Sequence, residues 1–239
     1  MARRRFFVEA IREGFAELRG EDARHLARVL RAEPGQKYEI SDNRAAYLAE
    51  IVEARGERVV FRVLKPLPAA VPPVHVTLLS ALIKFDRFEW MIEKATELGV
   101  ERILPVEAAR TEKGLLAAAR KRSERWARIA REASQQSRRV HIPEILPADR
   151  LEPNLSVAAD YRYFLEESEA APLIAMLPPY RASTAQVAVL IGPEGGWTDG
   201  ERALAAAARW QAVSLGPTVL RAETAALAAI AVLANVWLL

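Results

Sequence analysis

The sequence predicts an α/β protein in two parts, a small β-rich domain over residues 1–70 and a larger α/β domain over residues 71–239. Three observations predict it. Short runs rich in β-branched and aromatic residues, partly in alternation, crowd residues 1–65. Alternation is what a strand with one buried face requires. Four prolines in KPLPAAVPPVH (65–75) then stiffen the chain where the pattern changes, because proline fixes its own φ and restricts its predecessor. Beyond Val74, apolar runs of strand length alternate with helical periodicity, as in a parallel sheet covered by helices.

Taken in order, RRFFVEA, KYEISDN, AAYLAEIVEA and ERVVFRVLK are expected strands, with EPGQ (33–36) and ARGE (54–57) turning the chain. EDARHLARVLR is the one helix-like stretch among them, with Leu26, Val29 and Leu30 on one face. In the second part VHVTLLSAL reads as a buried strand. DRFEWMIEKATEL reads as an amphipathic helix with Phe88, Met91, Ile92 and Leu98 on one face, closed by Gly99. ERILPVE is a strand, and LLAAARKRSERWARIAREASQQ is one long basic helix. RYFLEE, QVAVLIG and AVSLG are short strands. TDGERALAAAARW is a helix capped by Thr198 or Asp199, and AETAALAAIAVLANVWLL is the final helix.

Of the 239 residues, 51% are hydrophobic and 27% charged, ordinary for a globular chain with a sizeable core. The absence of cysteine excludes disulfides, thiolate nucleophiles and cysteine-ligated metals. His25, His75 and His141 lie too far apart for a metal motif, so no metal is expected. MARRRFF lacks the apolar stretch of a secretory signal. The apolar AALAAIAVLANVWLL is shorter than a membrane span and contains Asn235, so it reads as a buried helix of a cytoplasmic protein. The net charge of +3 hides segregation: residues 110–139 hold ten Lys or Arg against three acids. That suits a surface for a polyanion. A solvated helix face with mixed pairs such as Glu124–Arg128 would look the same in composition.

Two stretches carry chemistry. In VLIGPEGGWTDGE (189–201) an apolar strand runs into Gly192, Pro193, Glu194, Gly195 and Gly196 before a helix. Glycines there let a ligand approach the backbone at the carboxyl end of a parallel sheet. Glu194 would repel phosphate and suit a cation such as a sulfonium. The alternative is a tight strand-to-helix turn with no ligand. In VSLGPTVLRAETAALAAI (213–230) a strand ends at Leu215–Gly216, and Leu220, Arg221, Glu223 and Thr224 follow at the start of an apolar helix. Arg221 and Glu223 suit a shared pocket, or only a helix-start ion pair.

Together LIGPEGG and LGPTVLRAETA resemble the C-terminal signature of the RsmE family, bacterial methyltransferases of the SPOUT class acting on N3 of a uridine in 16S ribosomal RNA. The likeness continues upstream in Lys84 with EWMIEKATELGV (89–100), in Arg110 and in REASQQSRRVHIPEI (131–145). At the N-terminus RRFFV and HLARVLRAEPGQ (25–36) resemble the family's RNA-binding domain, so nearly the whole chain is covered. Gln136 and Arg139 match the pattern. Gln135 stands where the family usually has Glu, and Arg138 where a small residue is common.

The resemblance implies a PUA-like β-barrel followed by a trefoil-knotted domain that binds S-adenosylmethionine in its knot loops. Carried onto this sequence, Leu190, Gly192, Glu194, Gly195 and Gly196 form one loop. Leu215, Gly216 and Leu220 form the other, and Leu165 lines the adenine pocket. It further implies a homodimer, which the nearly all-apolar final helix also favours. The substrate is 16S ribosomal RNA, free or in the small subunit. Arg3, Arg4, Arg5, His25, Arg28, Arg31, Gln136 and Arg139 are the candidate RNA contacts.

Methyl transfer from a sulfonium is an in-line displacement, so positioning dominates. The N3 proton must leave, and the resulting anion needs a cation nearby. Arg221 and Arg110 suit that role; Glu194 and Glu223 are the nearest choices for a base by sequence, or are structural. Lys84, Lys94 and Glu97 read either as functional or as a helix-surface network. Trp90, Trp126, Trp210 and Trp237 are expected in core or interface, with Trp197 set apart because it follows the cofactor loop. Two further readings remain: a related SPOUT enzyme acting on a ribose hydroxyl or a guanine of transfer RNA, and a non-catalytic RNA-binding assembly factor.

Overall fold

A computed structural model describes residues 4–68, 72, 74–167, 169–179 and 184–236. The chain divides into two units, one of Met1–Val71 with Glu132–Ile142, the other of Pro72–Arg131 with Pro143–Leu239.

The first unit comprises β1 (Arg5–Phe7), β2 (Ile11–Arg12), β3 (Phe15–Arg19), α1 (Gly20–Arg24), a π-helical turn His25–Val29, β4 (Lys37–Ser41), β5 (Ala46–Arg55) and β6 (Arg58–Pro66). The strands form one sheet in the order β1-β4-β5-β6-β3-β2. Phe6, Leu18, Leu26, Ile40, Ile51 and Phe61 fill its core. The expected turns at 33–36 and 54–57 hold Gly35 and Gly56 at positive φ. The β2–β3 hairpin was not anticipated; it inserts Ala16 and Leu18 into the core.

The expected helical face at Leu26, Val29 and Leu30 is not what forms. The amide of Leu30 donates to the carbonyl of His25 at 3.0 Å, five residues back, so the turn is wider than an α-turn. Leu26 stays buried, whereas Val29 and Leu30 rotate out and are exposed.

Residues 132–142 join this unit through specific bonds. Gln135 Nε2 donates to Asp22 at 2.9 Å, Ser41 Oγ to the carbonyl of Val140 at 2.7 Å, and the amide of Ile142 to Asn43 Oδ1 at 2.7 Å.

The second unit opens with β7 (Val74–Ala81), α2 (Phe85–Glu97), β8 (Arg102–Glu107), α3 (Leu115–Ala119) and α4 (Ser123–Gln136). β9 (Glu144–Ile145), β10 (Asp149–Arg150), α5 (Leu151–Asn154), β11 (Tyr161–Leu165), β12 (Ala171–Pro172) and α6 (Leu173–Met176) follow. It closes with β13 (Ala185–Ile191), α7 (Asp199–Ala207), β14 (Gln211–Ser214) and α8 (Ala222–Val236). The sheet runs β10-β8-β7-β13-β11-β14-β12 with β9 beside β8, and its pairs are parallel.

Two expectations are corrected here. The long basic helix is two helices, because the chain turns at 120–122 with the amides of Lys121 and Arg122 bonded three residues back, to Ala118 and Ala119. Leu98 is exposed: it is the residue that ends α2, where Gly99 at φ +100 turns the chain away.

Candidate active site

β13, β11 and β14 lie side by side and parallel, so the loops leaving their carboxyl ends open along one edge of the sheet. These loops enclose a cavity of about 330 Å³. Leu165, Ile191, Gly192, Gly196, Leu215, Gly216 and Leu220 line it, joined by Trp197, Val219 and the charged Arg87, Glu166, Glu167, Glu194 and Arg221.

The glycines serve different ends. A Cβ on Gly192 would lie 2.9 Å from Cε2 of Trp197, so this glycine makes room for an indole. That indole is 2% exposed, stacks at 5.0 Å on Phe164, and donates through Nε1 to the Leu165 carbonyl at 2.9 Å. Trp197 is therefore a core strut of the cavity, not an exposed platform. A Cβ on Gly195 would lie 3.2 Å from Cβ of Arg110. Gly216, at φ +126, has no atom within 4 Å of a would-be Cβ. Its requirement is conformational, and the space beside it is open.

Two expected lining residues sit elsewhere. The Leu190 side chain is fully buried in the core beneath the site, and Ile191 takes the lining position, since successive side chains alternate across the sheet. Gly195 is outside the lining; its carbonyl accepts from Arg110 Nη1 at 2.8 Å.

Arg110 is anchored from behind. The neighbouring amide of Ala109 donates to Glu201 Oε1 at 2.7 Å. The other oxygen of Glu201 accepts from the amide of Thr198 at 2.9 Å, closing the capping box that starts α7. Arg202 grips Glu166 with two bonds, at 2.6 and 3.2 Å, and the Trp197 carbonyl at 3.0 Å. The Glu166 carboxylate holds the Arg202 guanidinium above its ordinary pKa. Glu167 and Glu194 remain as the acids of the wall.

Beside this cavity lies an open hollow of about 450 Å³ lined by Asp86, Arg87, Trp90, Arg221, Glu223 and Thr224. Arg87 and Arg221 belong to both. Arg87 Nη1 donates to Glu194, and its Nε lies 4.0 Å from Glu223 Oε1. Glu223 is 7% exposed, and its Oε2 has no hydrogen-bond partner among the described residues. Arg221 is exposed and makes no side-chain hydrogen bond or ion pair among the described residues. Trp90, expected in core or interface, is 47% exposed. Arg87 was not anticipated, since Glu194 lies 107 residues away and only folding brings them together.

Lys94 binds Glu93 at 2.7 Å and Glu97 at 2.8 Å, the helix-surface reading of that cluster. Lys84 is the exposed residue before α2. Glu124 and Arg128 form no ion pair; Arg122 and Arg125 instead both bind Glu89, at 2.7 and 2.8 Å.

In the first unit Arg4, Arg28 and Arg31 are exposed and His25 is half-buried. Gln136 is exposed and Arg139 half-buried. Arg3 and Trp237 lie outside the described residues. Arg5 is a correction: it is 7% exposed and ion-paired to Glu39 at 2.9 Å, which makes it a structural residue. Arg138 also binds Glu39, at 3.2 Å through Nε, from a backbone at φ +58, a conformation that favours glycine. Burial pushes the Glu39 carboxyl up, but Arg138 and Arg5 outweigh it and hold it below its ordinary value. Gln135 is buried against Asp22, where a second carboxylate would repel.

Among the described residues no group of three or more His, Cys, Asp and Glu could hold a metal ion, and no helix is long and apolar enough to cross a membrane. The cavity suits a ligand with an apolar part and a positive charge. Leu165, Ile191, Leu215 and Leu220 supply an apolar wall, Gly216 a close approach to backbone, and Glu167 and Glu194 negative charge.

Comparison with known proteins agrees with this chemistry. A family model for an RNA methyltransferase domain matches residues 70–234, and one for an RNA methyltransferase PUA domain matches residues 18–64. The chain is 34% identical to ribosomal RNA small subunit methyltransferase E of Mycobacterium bovis, covering 97% of this chain and 92% of that protein. To the protein of the same name in Bacillus subtilis it is 30% identical, covering 95% and 94%. The crystal structure of a ribosomal RNA small subunit methyltransferase E from Neisseria gonorrhoeae bound to S-adenosyl methionine superposes with a TM-score of 0.87 at 30% identity, covering 98% of each chain.

Proposed function

Because the chain belongs to the ribosomal RNA small subunit methyltransferase E family, we propose that it methylates N3 of a uridine in 16S ribosomal RNA with S-adenosylmethionine as methyl donor. The observation that carries this reading is the meeting of two hollows at Arg87 and Arg221, one apolar and acidic, the other open and bearing Trp90 and Glu223. The first suits the cofactor, the second the acceptor base.

S-adenosylmethionine supplies an electrophilic methyl group on a sulfonium. Leu165, Ile191, Leu215 and Leu220 hold the adenine, while Glu167 and Glu194 face the positive charge. The knot expected for the family would fix the Gly192–Gly196 and Leu215–Leu220 loops against each other. In the second hollow Trp90 offers a ring face to the uracil. Arg221, whose guanidinium has no other partner among the described residues, stabilises negative charge on a base oxygen, with Arg110 in support. Glu223 lines the acceptor hollow and its Oε2 has no partner among the described residues, so it is the better acceptor for the N3 proton. As that proton passes to the carboxylate, the N3 lone pair bonds the methyl carbon. The carbon–sulfur pair stays on sulfur as a neutral thioether.

Arg4, His25, Arg28, Arg31, Gln136 and Arg139 contact the RNA backbone in this reading, which positions without reading sequence. Leu227, Ala228, Ala231 and Val232 of α8 remain half-buried, an apolar strip that suits a second copy of the chain in a cytoplasmic homodimer. The test is incubation of purified protein with labelled S-adenosylmethionine and either free 16S RNA or assembled small subunits, followed by mass mapping. Label on N3 of a uridine supports the reading. Label on ribose or guanine replaces it with another SPOUT activity, and cofactor binding without product leaves an assembly factor.

A further inference from the structure

We propose that Arg87 is a positioning residue shared between Glu194 and Glu223, handed from the first to the second when a cationic ligand occupies Glu194. The inference rests on the cofactor reading above. Arg87 projects from α2 between the two hollows and lines both. It hydrogen-bonds Glu194, which is half exposed in the cofactor wall. Its Nε stands 4.0 Å from Glu223, at the outer limit of an ion pair. Glu223 is the anomalous member: its side chain is 9% exposed and Oε2 is buried with no partner among the described residues. Buried carboxylate oxygens are normally bonded, so this one is a site waiting for a donor.

The charges then dictate a sequence of events. A positive charge brought against Glu194 competes with the Arg87 guanidinium and repels it. The other carboxylate beside Arg87 is Glu223, and a guanidinium swing of little more than an ångström brings Nε from 4.0 Å to bonding distance of Oε1, which leaves Oε2 for the N3 proton. Arg221 lines both hollows as well but pairs with neither carboxylate, which leaves it for the acceptor base. Filling the cofactor cavity thereby rearranges the wall of the acceptor hollow, and cofactor binding precedes productive binding of the base.

The consequence is opposite in sign to the loss expected when an ordinary binding-site arginine is removed. Arg87→Gln takes away a competitor for Glu194, so S-adenosylmethionine binds more tightly, by roughly two- to fivefold, the size of one exposed ion pair. Single-turnover methyl transfer at saturating cofactor slows in the same variant, because Glu223 loses the guanidinium that holds its carboxylate in position. Glu223→Gln removes the destination, so cofactor affinity falls by a similar factor. Combining the two abolishes that fall, since with no arginine to hand over Glu223 no longer matters to the cofactor. Arg87→Lys keeps the charge and is expected to retain much of the coupling.

Calorimetric titration of the wild type and the four variants with S-adenosylmethionine, alongside their thermal unfolding, measures this without RNA. Tighter binding in Arg87→Gln and a non-additive double variant support the inference. Weaker binding in Arg87→Gln, or additive effects in folded proteins, overturns it while leaving the cofactor reading intact. A wild-type protein that binds no S-adenosylmethionine overturns both.

Discussion

The indole nitrogen of Trp197 donates to the carbonyl oxygen of Leu165 at 2.9 Å and so fastens the loop after β13 to the end of β11. The cavity between these strands depends on that bond, and the bond depends on Gly192, whose missing Cβ leaves room for the ring. Gly192→Ala is therefore expected to push the indole off Leu165. It should cost about 1–3 kcal/mol through overpacking, with cofactor affinity lost as the two walls part. Trp197→Phe keeps most of the packing, loses the hydrogen bond and costs about 1 kcal/mol. Gly216→Ala should show the other pattern, backbone strain at φ +126 with no clash. Denaturant unfolding with cofactor titration separates the cases. If Gly192→Ala matches the wild type in both, the indole has room that the geometry denies it.

Leu165, Gly192, Gly196, Leu215, Gly216 and Leu220 line one cavity. All but Leu165 stood out in the sequence because apolar strand, glycine and helix start follow one another so closely, whereas Leu165 came from the family resemblance alone. Why each glycine is there was not legible. Trp197 is local to Gly192, but only the folded ring shows the clash, and Arg110 reaches Gly195 from 85 residues away. The same limit hid Arg87, Trp90 and the burial of Arg5, all set by tertiary partners. Local hydrogen bonding defeated the periodicity at two places, the π-turn after His25 and the break at 120–122, because neither changes the spacing of apolar residues.

Glu89 clamps the start of α4 to α2, accepting from Arg122 at 2.7 Å and Arg125 at 2.8 Å. The hydrogen bond from Arg125 lowers its pKa most, burial opposes, and Arg122 adds to the lowering. A carboxyl depressed in the fold stabilises above the unfolded value of about 4.3, and that stability is lost as pH falls through the folded value. Glu89→Gln should thus cost about 1–2 kcal/mol at neutral pH. The gap to wild type should close in acid. Urea midpoints at pH 7 and below 4 check this, and a gap of constant size would mean that the charge of Glu89 contributes nothing to stability.

Glu201 joins two parts of the site, one oxygen on the Thr198 cap and the other on the Ala109 amide. Glu201→Ala should cost about 1–2 kcal/mol by uncapping α7. It should also loosen Arg110 and slow methyl transfer. Because both changes act through Arg110, adding Arg110→Ala to Glu201→Ala should slow transfer little further. Rates from single turnovers of the three variants decide it, and multiplicative losses would separate Glu201 from the arginine.

The two units are expected to divide binding from chemistry. Arg28 and Arg31 are exposed and carry no side-chain partner among the described residues, so their charge is available to phosphate. Each phosphate neutralised contributes about 0.7–0.9 to the slope of log affinity against log salt. Reversing both to Glu should weaken RNA binding broadly and flatten that slope by about 1.4–1.8, while S-adenosylmethionine affinity stays unchanged. Arg5→Ala is the contrasting case: paired with Glu39, it should lower stability before it lowers RNA affinity. Arg221→Ala should leave RNA binding nearly intact and reduce single-turnover methylation, since its charge acts on the base anion that forms only during transfer. Salt-dependent RNA titrations and single-turnover rates on the same preparations distinguish these outcomes. If Arg221→Ala and the Arg28/Arg31 reversal lose the same property to the same extent, charge at both places serves only to attract RNA, and the role given to Arg221 is wrong.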